Sequence, residues 1–149
     1  GSPPLLFDRR DLDEPLPDTA VAVKGVDVSY GATNVTYRWD QDLNGWIRSQ
    51  NGSLHVDVAG VVVAPEIVIV QTISYRRSSA DGRSPEAILV GEGSALVLYD
   101  GHLIEGFWER REATALTRYT DRAGEAITLP PGNTWVALPR VGQVQIVEQ

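Results

Sequence analysis

The chain has 149 residues, 42% of them hydrophobic and 22% charged, which is enough for one soluble domain with a real core and no more. Its formal charge of −7, with a single lysine at Lys24, excludes the basic face that a nucleic-acid binder needs to displace counterions from phosphates. Cysteine is absent, so disulfides, thiolate metal sites and thiol catalysis are excluded. No apolar run is long enough to span a membrane as a helix.

In chain order, residues 1–18 read as a tag remnant and an inter-domain linker. Pro3, Pro4, Pro15 and Pro17 leave no room for a helix or central strand, and Leu5, Leu6 and Phe7 offer a few apolar anchors that could pack onto the domain. From Thr19 the pattern is β throughout, so 19–149 reads as one β-rich domain. Val21, Val23, Val26, Val28 and Tyr30 alternate with an interruption at Lys24-Gly25, which predicts a bulge. Val35, Tyr37 and Trp39 alternate with polar residues up to a loop ending at Asn44-Gly45. Strands are predicted over 46–49 and 54–58, joined at Asn51-Gly52, a dipeptide suited to the positive φ of a type I′ hairpin.

Residues 67–75 begin as a continuous β-branched run, the best candidate for a central strand. A polar loop over 76–85 follows, then strands near 86–91, 94–99 and 102–110, the last two joined at Asp100-Gly101. Further strands are expected at 114–119, 125–129, 134–138 and 143–147. Only Glu109 to Leu116 has any helical character. Many short strands separated by turn dipeptides predict an all-β fold, an antiparallel β-sandwich or a partly open β-barrel with little helix.

The order of features resembles the C-terminal domain of the YerB-like bacterial lipoproteins, whose function is unassigned. The resemblance rests on Asn34 to Asp40, Gly45 to Gly52, His55-Val56-Asp57, Pro65 to Gln71, Gly91 to Ala95, Asp100-Gly101, Glu105 to Arg110 and Leu129 to Val136. It covers residues 20–140. It implies an extracytoplasmic parent, lipid-anchored through an upstream signal, with a separate N-terminal domain missing here and a cell-envelope role near peptidoglycan metabolism. It implies no catalytic residue and no cofactor.

The densest polar grouping is Trp46 to Asp57. The hairpin brings Arg48 opposite the strand bearing His55 and Asp57, which share a face at a spacing of two. A carboxylate beside an imidazole fixes its tautomer, and an arginine clamps carboxylates or phosphates in a bidentate fork. Arg48, His55, Asp57, Trp46 and Asn51 are therefore the candidate binding residues, with the 76–85 loop beside them. The structural alternative has Arg48 bridging Asp57, His55 bonded to backbone, and the group pinning the turn.

His102 offers a remote third metal ligand, but nothing local joins it to His55 and Asp57, and no metal site is assigned. Gly91-Glu92-Gly93-Ser94 lacks the lysine and the helix of a phosphate loop. No Gly-x-Ser-x-Gly elbow is present. Trp39, Trp108 and Trp135 are expected in the core, and Trp46 partly exposed beside the hairpin. The expected function is a non-catalytic module that binds a protein partner or a cell-wall glycan or peptide. The alternatives are an enzyme on envelope polymer, with His55 as base, Asp57 as its orienter and Arg48 as anion clamp, and a structural domain supporting the missing N-terminal half.

Overall fold

The computed structural model describes residues 19–77, 85–129 and 132–149. The predicted linker and the middle of the 76–85 loop lie outside them. Twelve strands and no helix occur among the described residues. They are β1 (Val21–Ser29), β2 (Asn34–Asp40), β3 (Gly45–Gln50), β4 (Ser53–Leu54), β5 (Ile67–Gln71), β6 (Ser74–Arg77), β7 (Pro85–Ile88), β8 (Gly91–Tyr99), β9 (His102–Arg110), β10 (Arg118–Asp121), β11 (Thr134–Ala137) and β12 (Val144–Glu148).

Strand β5 explains the architecture. Its alternate residues serve two cores, which is why the sequence is apolar at successive positions. Ile67 and Ile69 pack with Val97, Ile104, Trp108, Tyr119, Ile127 and Leu129. Val68 and Val70 pack with Val23, Val26, Val28, Val35, Tyr37, Trp46, Leu98 and Leu103. The main sheet runs β11-β5-β8-β9-β1-β2-β3-β4, with β10 added on β9 and β12 on β1, while β6 and β7 form a separate hairpin. The sheet curls so that β2 and β3 face β5 and β8 across the second core. The fold is thus the partly open barrel of the two expected architectures.

It is mixed rather than antiparallel throughout, because β11 runs parallel to β5, with Thr134 opposite Ile67 and Ala137 opposite Val70. The long connection between the two strands permits a parallel pairing that no hairpin could make.

The curl is set in β1. Val21 and Ala22 pair with β9. Its register against β12 shifts between Val23, opposite Glu148, and Gly25, opposite Val147, and from Gly25 onward β1 also pairs with β2 on its other side. This is the bulge expected at Lys24-Gly25, and it carries one strand from one part of the sheet to the other. Gly25 is obligatory there, since a Cβ at that position would sit 1.7 Å from the Tyr37 carbonyl oxygen.

The turns follow their sequence signals: Asn51 and Gly52 have φ of 51° and 83°, and Asp100 and Gly101 have 51° and 74°. Other expectations are corrected. The weak helix over 109–116 is absent; β9 runs to Arg110 and gives way to turns. The strands expected at 114–119 and 125–129 reduce to β10, a bridge between Thr120 and Ala126 and a further bridge residue at Leu129.

Candidate functional site

Strand parity positions the site. Trp46, Arg48 and Gln50 share one face of β3. Trp46 is buried in the second core at 0% exposure, so Arg48 is forced to point inward as well, towards the barrel's open end. Tyr37 lies directly opposite Arg48 on β2. The chain leaving Asn51-Gly52 pairs Leu54 with Ser49. This brings His55 beside Arg48, whose carbonyl accepts the His55 N–H at 3.0 Å. Residues 61–65 then return along β3: the Trp46 N–H donates to Pro65 and the Arg48 N–H to Val63.

Trp135 reaches the same place from β11, opposite Val68. Strands β4 and β11 are the two ends of the curled sheet. Arg48, His55 and Trp135 therefore meet at the seam where the barrel stays open.

The contacts are specific. Arg48 Nη1 donates to His55 Nδ1 at 2.9 Å. Arginine is only a donor, so Nδ1 must carry the lone pair and the imidazole proton sits on Nε2. The guanidinium carbon lies 5.0 Å from the Trp135 ring centroid, a cation–π contact. His55 meets the same indole edge-on, with centroids 5.8 Å apart. Arg48 Nε is buried and has no hydrogen-bond partner. No carboxylate pairs with Arg48 among the described residues, although acids outnumber bases in the chain.

Two phenols border the seam. Burial pushes the Tyr37 hydroxyl above its ordinary pKa, offset in part by Arg48, as hydrogen-bonding neighbour and as charge, and by Trp135. Tyr30 is pushed up to about 12, first by burial of its hydroxyl end and then by the neighbouring phenols of Tyr37 and Tyr75, against the pull of Arg48.

Of the five candidate residues, the structure brings Arg48 and His55 together and places the others elsewhere. Asp57 does not orient His55. Its Oδ1 accepts from the N–H groups of Ala59 at 2.9 Å and Val61 at 3.0 Å, closing its own exposed turn. Asn51 is a fold element: its Oδ1 accepts from the Asn34 N–H at 2.8 Å, and its own N–H returns to the Asn34 carbonyl.

Trp46 is the reverse of the expectation. It is wholly buried against Trp39, with ring centroids 5.1 Å apart, and its partner is the half-buried one. The two tryptophans are a cross-strand pair, and a pair flanking a short loop was the signal that fixes their common face. His102 is remote from the seam, its Nδ1 held at 2.7 Å from the Asp100 carbonyl. Trp135, expected in the core, packs half-buried against the second core and also meets Arg48 and His55 at the seam. Nothing in its own neighbourhood reveals Arg48, because the parallel pairing of β11 is decided far away in the chain.

Comparison with curated proteins finds no match. Among solved structures, the chain is similar to the crystal structure of YerB protein from Bacillus subtilis, with a TM-score of 0.73 and 24% identity over 97% of this chain and 47% of that one. This likeness concerns the fold, and the chain spans about half the length of that protein. Residues 26–136 match the family described as protein of unknown function (DUF3048), C-terminal domain, and the chain belongs to that family.

Proposed function

We propose that this domain is a non-catalytic binding module of an extracytoplasmic, lipid-anchored cell-envelope protein. It recognises a protein partner or a cell-wall glycan or peptide at the Arg48–His55–Trp135 seam and serves peptidoglycan metabolism. One observation carries the binding role. Arg48 is held inward by β3, stacked on an indole and hydrogen-bonded to a neutral imidazole, yet has no anionic partner among the described residues. A partly buried guanidinium that serves the fold alone is normally matched to a carboxylate, because desolvating it unpaired is costly. An arginine set in this way is ready for an anion supplied from outside. The envelope assignment is supported by the resemblance of the sequence motifs to the YerB-like lipoproteins.

The catalytic alternative is less well supported, because it needs Asp57 to orient His55 and Asp57 is engaged in its own turn. The test is co-sedimentation with purified peptidoglycan sacculi. Wild type is expected to pellet, and Arg48→Ala and His55→Ala are expected to remain in the supernatant with unchanged circular dichroism. Wild type that stays in solution would reject direct wall binding and leave a protein as the partner.

A further inference from the structure

A second site lies on the opposite face of β11. Where Trp135 points to the seam, Val136 points to the first core, and that core ends in an open pocket of about 210 Å³. Leu89, Val136 and Leu138 form its apolar walls. Its floor is polar and buried: Gln71 is 5% exposed, Thr117 7% and Tyr119 4%. Gln71 is the polar residue that ends the apolar run of β5, and its Oε1 accepts from the Tyr119 hydroxyl at 2.9 Å.

Gln71 Nε2 and the Thr117 hydroxyl have no hydrogen-bond partner among the described residues, and both residues line the pocket. Arg110 completes the lining. Its guanidinium is anchored by Nε to the Ala115 carbonyl at 3.1 Å and by Nη2 to the Ala113 carbonyl, which leaves Nη1 unassigned. No lining residue is acidic.

An apolar cup with convergent polar groups is the usual form of a ligand site. The three free groups are an amide N–H, a hydroxyl and a guanidinium N–H. That set matches a carboxylate, which only accepts. The volume lies below the roughly 300 Å³ at which pockets for drug-sized ligands begin, so the body of the ligand is a single compact apolar group.

We infer that this pocket binds a carboxylate attached to one branched aliphatic group, either a free short-chain acid or the C-terminal residue of a peptide. The carboxylate meets Gln71 Nε2, the Thr117 hydroxyl and Arg110 Nη1, and the aliphatic group lies against Leu89, Val136 and Leu138. The inference is independent of the seam and of its proposed ligand.

Titration of the isotopically labelled protein with 4-methylpentanoate, followed by NMR, tests it. The expected result is saturable shifts centred on Gln71, Leu89, Thr117 and Leu138, with 4-methylpentan-1-ol binding at least tenfold more weakly. Leu89→Trp, which plugs the mouth from an exposed position, should abolish the shifts, and Thr117→Val should weaken binding severalfold. The tripeptide Gly-Gly-Leu and its C-terminal amide separate the two sources. Tighter binding of the peptide than of the free acid, lost in the amide, identifies a peptide C-terminus, and the reverse order identifies a free acid. Shifts that are absent, that lie elsewhere, or that are equal for acid and alcohol would overturn the proposal.

Discussion

Asp121 shows how a single residue in this fold is made secure in its charged form. It is buried, and burial alone would raise its pKa. The Thr19 hydroxyl at 2.9 Å and the backbone N–H groups of Glu125, Ala123 and Gly124 outweigh that and hold it below the ordinary 3.8. A carboxyl whose pKa is lower folded than unfolded adds stability above its unfolded pKa, and that stability is lost as pH falls through the lower folded value. Asp121→Asn is therefore expected to cost about 2 kcal/mol at pH 7. The difference from wild type should shrink below about pH 4, where the unfolded chain also binds the proton. Urea unfolding at pH 7 and pH 3 measures both. At the seam, by contrast, Arg48 has no anionic partner among the described residues, which is why binding is proposed there and not at Asp121.

At the scale of elements, the bulge in β1 controls the curl of the sheet. Adding a methyl group at Gly25 drives it into the Tyr37 carbonyl, which is backbone and cannot rotate aside. Gly25→Ala is expected to lower unfolding free energy by about 3 kcal/mol or more. Gly52→Ala, with nothing within 4 Å and strain from its φ of 83°, should cost about 1 kcal/mol. Urea midpoints of the two variants test the contrast.

The Gly25 bulge was legible in the sequence because alternation breaks at Lys24-Gly25. The central position of β5 was legible in its β-branched run, and the hairpins in their Asn-Gly and Asp-Gly turns. The orientation of β11 was not legible, since nothing near Trp135 encodes a partner on β5. The face of Trp46 was misread because its proximity to the polar hairpin was given more weight than its pairing with Trp39. Asp57 was misread because strand parity was extended past Leu54, where the ladder of β4 stops.

Across the whole molecule, stability is uneven. Strands β5 and β8 lie between two cores and their side chains are almost wholly buried along β5, whereas Leu54, Val56, Val58 and Val61 on the ribbon beside β3 are exposed. Amide exchange should be slowest in Ile67–Gln71 and its partners on β8, and fastest over 56–61. Mass-spectrometric hydrogen exchange resolves this directly, and uniform protection would refute a two-core scaffold with a loosely held edge.

The seam sits where that edge meets β11, so the group of Arg48, His55 and Trp135 joins the ends of the sheet and presents an unpaired cation at the same point. The central claim is that this arrangement exists for a ligand and not for the fold. Equilibrium urea unfolding of Arg48→Ala beside wild type addresses it most directly. The account predicts a loss of less than about 1 kcal/mol, because the variant surrenders one cation–π contact and the hydrogen bonds to His55, Gln50 and Tyr37 while relieving a desolvated, unpaired charge. A loss above about 3 kcal/mol would show that Arg48 holds the barrel together and would contradict the claim.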